Sequence, residues 1–120
     1  MAALVEIERT DGDVTVVVIH GEHDLATAGH LRTRLDQALA VGTSVVVDLT
    51  PATFIDSAVL RVLLSGRDRA EEAGLAYLVA VGDQTGHAVT RLLELTGLGV
   101  RLRLVHGRDA AIAAAATAAA

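Results

Sequence analysis

The chain has 120 residues, a formal net charge of −5, no cysteine and only one Phe and one Tyr. This length fits one domain with its own core, while the acidic charge and scarce aromatics argue against binding a nucleic-acid backbone or stacking on bases. The lack of cysteine excludes thiol catalysis and disulfides, and the lack of a signal peptide or a ~20-residue apolar run predicts a cytoplasmic protein without membrane insertion.

Extended and helical patterns alternate along the chain. The predicted strands are Leu4–Glu8, Val14–His20, Val45–Leu49, Leu75–Val81 and Val100–Leu104. The first two are joined by Asp11-Gly12, a dipeptide typical of a hairpin turn. The third begins with three consecutive valines, and this absence of polar alternation is typical of a strand covered on both faces.

The predicted helices lie between these strands and at the end of the chain. Asp24 is placed to cap the first helix, which begins at Leu25 and ends before Gly42. The others are predicted from Ser57 to Gly74, from Val89 to a stop at Gly97, and from Asp109 through the alanine-rich tail.

The fold class is therefore α/β. We predict a small mixed β-sheet of about five strands, parallel except for the opening hairpin, with about four α-helices packed against it. We expect a single domain over residues 1–120.

Ser57 follows Asp56 where an extended segment gives way to a helical pattern. Backbone N–H groups at a helix N-terminus have no intrahelical acceptor, and the helix dipole there favours negative charge. The serine can be a simple cap or first-turn residue, which its position alone favours, or it can accept a phosphate. Asp56 can equally be the cap, which would make Ser57 the first helical residue.

An acidic surface patch is expected near Ser57. Sites in open α/β sheets form outside the carboxyl ends of the strands, and three predicted loops reach that edge. The residues they bring there are Glu22, Asp24, Asp56, Ser57 and Asp83.

No catalytic or metal-binding motif accompanies this patch. Ser57 lacks the G-x-S-x-G context of a hydrolase nucleophile, and there is no phosphate-binding glycine loop. The five histidines are scattered, and the spacing of His20 and His23 favours a solvated or hydrogen-bonded role. The sequence thus predicts a protein that is not an enzyme and that has no catalytic residue, cofactor or metal.

Three segments, in order, resemble the STAS-domain anti-sigma factor antagonist family, which implies a bacterial regulator of transcription. They are Gly21–Ala28, Val46–Ser57 and Val89–Leu98. The resemblance implies that Ser57 is the phosphate acceptor. The unphosphorylated form would bind an anti-sigma factor with serine-protein kinase activity and release the sigma factor; phosphorylation would abolish binding, and a phosphatase would restore it.

The predicted partner-binding residues are Glu22, Asp24, Thr27, Asp56, Ser57, Ala58, Arg61 and Asp83. The family continues after the acceptor as Ser-Gly-Leu-Gly, where this chain has Ala58-Val59-Leu60-Arg61. We expect Val59 and Arg61 to add volume and charge where glycines would let a partner approach. Arg61 lies one helical turn from Ser57, so it is either a solvated helix arginine or a partner for a phosphate on the serine.

Two other functions remain open at this stage. One is a constitutive STAS binding subunit of a lipid-transport or stress-signalling assembly, in which Ser57 is never phosphorylated. The other is a STAS protein that binds or hydrolyses a nucleotide.

Overall fold

The computed structural model describes residues 3–10 and 12–119, so Asp11 of the predicted hairpin turn lies outside the described residues. In this part of the chain the strands are β1 (Leu4–Arg9), β2 (Val14–His23), β3 (Ser44–Asp48), β4 (Ala52–Ile55), β5 (Tyr77–Val81) and β6 (Leu104–His106). The helices are α1 (Leu25–Ala40), α2 (Ser57–Glu72), α3 (His87–Thr96), α4 (Leu98–Arg101) and α5 (Arg108–Ala119).

The strands form a mixed sheet in the order β1-β2-β3-β5-β6, with β4 pairing beside the end of β2. β1 runs antiparallel to β2, whereas β2, β3, β5 and β6 are parallel neighbours. This arrangement confirms the predicted mixed sheet with an antiparallel edge. The carboxyl ends of β2, β3 and β5 therefore open toward one edge, where their loops meet.

The sheet is covered on both faces, as the valine run in β3 predicted. Val45 and Val47 belong to the larger core, which packs against α1, α2 and α3, whereas Val46 belongs to a smaller core under α5. All three valines are fully buried. Helix α5 covers its face mainly with alanine, and Arg108 ties its first turn to Glu8, with Nη2 and Oε2 2.8 Å apart.

Around β4 the structure differs from the sequence prediction in two features. The extended segment after β3 is a separate strand, β4, because Asp48 Oδ1 accepts hydrogen bonds from Thr50 N and Oγ1 and turns the chain there. Strand β4 then pairs with the end of β2, which continues to His23 rather than stopping at His20.

The predicted fifth strand, Val100–Leu104, was wrong except at its last residue. Gly97, with φ +68°, ends α3 as predicted, but the chain then forms the short helix α4. Leu102 N donates to Leu98 O at 2.8 Å, and the Leu102 side chain is fully buried. Burial of this one leucine holds the turn closed, so the strand is confined to Leu104–His106.

Candidate functional site

Asp56 joins the N-termini of two helices. Its Oδ1 accepts a hydrogen bond from Val59 N in the first turn of α2 at 3.1 Å. Its Oδ2 accepts one from Leu25 N, the first residue of α1, also at 3.1 Å. Both N–H groups lack intrahelical acceptors, so one carboxylate satisfies two helices at once. Asp56 is thus the cap of α2, and Ser57 is its first helical residue.

Asp24 caps α1, as the sequence predicted. Asp24 Oδ1 accepts from Ala26 N at 2.9 Å, and Thr27 Oγ1 accepts from Asp24 N at 3.0 Å, which completes a capping box. Thr27, which the sequence predicted to contact a partner, is half-buried, and its hydroxyl already takes part in the cap. His23 has the hydrogen-bonded rather than the solvated role of the two predicted for it: the buried ring places Nδ1 3.1 Å from Thr27 Oγ1 and Nε2 3.0 Å from His20 O.

The Ser57 side chain is exposed, and within the described residues its hydroxyl makes no hydrogen bond. Arg61, one turn further along α2, is also exposed and has no ion pair in the described part of the chain. Ala58 is half-buried against the larger core. Val59 is fully buried, so the expectation that it would add volume toward a partner was wrong; its side chain points into the protein.

Two apolar side chains flank this acidic site. Leu25 is 76% exposed although it directly follows the α1 cap, and Phe54 is 40% exposed on β4. Phe54 lies beside Glu22 because β4 pairs with the end of β2 in that register. The sequence analysis missed both, although the chain's single Phe, two residues before Asp56, was a usable signal.

The residues that the structure brings together here define the Ser57 surface: Glu22, Asp24, Leu25, Phe54, Asp56 and Ser57. Contacts within the fold establish its continuity, since Asp56 touches the start of α1 and β4 pairs with β2. Three of its residues are acidic and two are exposed apolar side chains.

Asp83 lies in the loop after β5, at the same edge of the sheet. The loop packs against the β3–β4 connection, because Thr85 Oγ1 donates to Leu49 O at 3.2 Å and Gly86 N donates to Ala52 O at 2.9 Å. Asp83 itself is exposed, with Oδ1 3.3 Å from His106 Nε2. It therefore borders the Ser57 surface but pairs with the end of β6 rather than with residues of that surface.

In the residues that the structure describes, no three His, Asp or Glu side chains converge in a way that would hold a metal ion. None of the helices described has the length and apolar character needed to cross a membrane.

The family model described as "Mlab, STAS domain" matches residues 7–106, and the chain belongs to the STAS-domain family. An anti-sigma factor antagonist from Mycobacterium paratuberculosis has a similar structure, with a TM-score of 0.81 and 28% identity over 95% of this chain and 94% of that one. No curated relative matches the sequence.

Two further solved structures share the fold. Bacillus SpoIIAA in its phosphorylated form has a TM-score of 0.70 and 17% identity, covering 92% of this chain and 98% of its own. A variant of RsbS from Moorella thermoacetica has a TM-score of 0.74 and 23% identity, covering 94% and 95%. The STAS fold expected from the sequence is confirmed.

Proposed function

We propose that this protein is an anti-sigma factor antagonist whose Ser57 surface binds an anti-sigma factor and thereby frees a sigma factor. The observation that carries the proposal is the exposed Ser57 hydroxyl, which has no hydrogen bond to residues 3–10 or 12–119 and lies next to the carboxylate that joins α1 and α2. Membership in the STAS-domain family and the likeness to an anti-sigma factor antagonist support it. In this role the protein is a binding module and not an enzyme.

The chemistry of the Ser57 surface defines what the partner must offer. Leu25 and Phe54 provide apolar anchors, and burying their exposed parts would contribute about 1–2 kcal/mol for Leu25 and about 1 kcal/mol for Phe54 before the costs of association. Glu22, Asp24 and Asp56 surround them with negative charge. The anti-sigma factor should therefore present an apolar pocket bordered by Arg or Lys.

Phosphorylation of Ser57 would switch this interaction off. A phosphate adds about −1.5 to −2 charges at pH 7, next to the carboxylates of Asp56 and Asp24. Asp56 already occupies the Val59 N–H that a phosphate at the helix start would otherwise use. A partner fitted to a bare hydroxyl would meet extra bulk and a charge that is costly to desolvate. About 1.4 kcal/mol of lost binding already lowers the affinity tenfold.

The hydroxyl needs no base from its own chain, because the anti-sigma factor would act as the serine-protein kinase and supply ATP. A phosphatase would return the protein to its binding form. Arg61, exposed and one turn away, is placed to pair with the phosphate and to hold it against α2.

A constitutive STAS binding subunit, in which Ser57 is never phosphorylated, is the second candidate. The matching family model is described as "Mlab", and the segment Ala58–Arg61 departs from the family's glycine pattern. Exposed Arg61 stands where that pattern has a glycine and would change the surface that a kinase meets.

The test combines phosphorylation and binding. The purified protein is incubated with ATP and each serine-kinase anti-sigma factor of its organism, and the intact mass is measured. We expect a gain of one phosphate that disappears in Ser57→Ala and persists in Thr53→Ala, a matched change of an exposed hydroxyl on β4.

Binding is then measured by calorimetry. The Ser57→Asp variant should bind at least about tenfold more weakly than the unmodified protein. Tight binding without phosphorylation by any kinase would favour the constitutive subunit, and no binding to any anti-sigma factor would refute the proposal.

A further inference from the structure

A second surface lies far from Ser57 along the chain, around α4 and the edge strand β6. An apolar groove of about 350 Å³ separates α3 and α4 from the last two strands, β5 and β6. The residues that form it, here called the edge groove, are mostly apolar side chains and glycines, with one hydroxyl and one carboxylate among them: Val81, Thr90, Leu93, Glu94, Gly97, Gly99, Val100 and Leu104. Gly99 keeps the groove open, because a Cβ there would lie only 3.0 Å from Leu104 Cδ1.

Large apolar side chains are unusually exposed in this segment. Val100 is 91% exposed and Leu104 is 36% exposed, and both line the edge groove. Single exposed apolar residues are ordinary, but a contiguous group beside a groove is typical of a site that a partner covers.

Two arginines line a second depression that adjoins the edge groove at Val100. They are Arg101 and Arg103, and this depression of about 350 Å³ lies at the amino ends of β5 and β6. A third arginine there, Arg67, is neutralised by Asp68 and Glu71, with N–O distances of 3.2 and 3.6 Å. Within the described residues neither Arg101 nor Arg103 makes an ion pair. An otherwise acidic chain thus presents two free guanidinium groups next to an apolar groove.

We propose that the edge groove binds an acidic amphipathic segment of a partner protein, with its apolar side chains in the groove and its carboxylates on Arg101 and Arg103. A guanidinium matches a carboxylate in geometry as well as in charge, which favours this pairing. Arg101 and Arg103 favour carboxylates on the partner, whereas Glu94 in the groove requires that the part of the segment inserted there be uncharged and apolar.

Other occupants fit less well. An anionic membrane would attract two arginines but would be repelled by a chain of net charge −5. A second copy could offer the acidic Ser57 surface, but that head-to-tail contact would join two different surfaces and would not close into a dimer. The proposed site does not depend on the function of Ser57.

The experiment titrates the full-length ¹⁵N-labelled protein with a short synthetic peptide that carries leucines on one helical face and glutamates at the positions that flank this face. Backbone chemical shifts should change saturably and mainly in residues 93–104. The double variant Arg101→Ala/Arg103→Ala should weaken binding about tenfold, which two exposed ion pairs within their measured range can supply. Val100→Ser should weaken it severalfold.

The control for charge is Arg9→Ala/Arg32→Ala, which removes two exposed arginines on β1 and α1 and produces the same net charge. Its affinity should stay within about twofold of the unmodified protein. Ser57→Asp should also bind the peptide normally, which separates this site from the switch.

Three results would overturn the proposal. The first is an absence of saturable shifts, or shifts centred on the Ser57 surface. The second is equal binding of a peptide of the same composition with no apolar face. The third is an occupant of another kind: binding to phosphatidylglycerol vesicles but not to the peptide, or self-association that disappears in Arg101→Ala/Arg103→Ala.

Discussion

Asp56 should stabilise the protein through both of its carboxylate oxygens, and three variants separate the two contributions. Asp56→Ala removes the cap of α2 and the hydrogen bond to Leu25 N. Asp56→Asn keeps one acceptor oxygen for the cap but places an NH₂ donor toward the Leu25 N–H. Asp24→Ala removes one ordinary cap of α1 and serves as the matched control.

The expected losses in unfolding free energy follow from the hydrogen bonds that each variant removes. Loss of a side-chain cap costs about 1 kcal/mol, within a range of roughly 0.5–2. A hydrogen bond to a charged acceptor contributes about 1.5–3 kcal/mol, which solvent at this partly exposed site reduces to about 1. We therefore expect losses in unfolding free energy of about 2 kcal/mol for Asp56→Ala and about 1 kcal/mol each for Asp56→Asn and Asp24→Ala.

Urea unfolding followed by far-UV circular dichroism measures these differences, and thermal unfolding repeats the order. For a chain of this size about 1 kcal/mol corresponds to a shift of about 4 °C in Tm. If Asp56→Ala were no less stable than Asp24→Ala, or if Asp56→Asn matched the unmodified protein, the bridge to α1 would contribute nothing and the reasoning would fail.

Three further predictions concern single residues. Burial raises the pKa of the Tyr77 hydroxyl, against a smaller opposite effect of Arg69, so the folded state favours the neutral phenol. The stability that this phenol contributes is therefore complete below pH ~10, and above that pH the free energy of unfolding falls by up to about 1.4 kcal/mol per pH unit. Urea unfolding at a series of alkaline pH values should show this fall in the unmodified protein and not in Tyr77→Phe. Gly86→Ala should cost about 1–3 kcal/mol in urea unfolding, because its Cβ would lie 2.3 Å from Thr53 O, whereas Gly29→Ala, which meets nothing within 4 Å, should be neutral or stabilising. Arg61→Ala should shorten the lifetime of phosphorylated Ser57 in a phosphatase assay, and an unchanged lifetime would remove Arg61 from the switch.

The loss of stability above pH ~10 can be assigned to Tyr77 because no other side chain of this protein interferes. Tyr77 is the only tyrosine, there is no cysteine, and every cationic side chain is an arginine rather than a lysine. No other side chain therefore titrates near pH 10. The phenol donates to Leu63 O at 2.8 Å, so Tyr77→Phe should also lose about 1 kcal/mol at neutral pH.

Local chemistry made much of the fold predictable. Asp24 caps α1, and Gly42 and Gly74 follow the ends of α1 and α2 with positive φ, because each signal acts within one turn of its own residue. The valines of β3 identified a doubly covered strand without any knowledge of its neighbours. The position of Ser57 at the start of α2 was available for the same reason.

Contacts between distant segments were not predictable in this way. The pattern of Val100–Leu104 fits a strand, yet burial of Leu102 and the turn at Gly97 made its first half helical. The segment Ala52–Ile55 reads as extended, but only its pairing with the end of β2 makes it a strand.

The sequence by itself determined where α1 and α2 begin and that a serine follows a capping carboxylate, since caps, turns and valine runs act over a few residues. Only the tertiary structure decided that Asp56 also holds Leu25, 31 residues away, and that Leu25 and Phe54 stay exposed beside it. The physical reason is that burial and hydrogen bonding between distant segments depend on which surfaces meet, and residue spacing does not encode that choice.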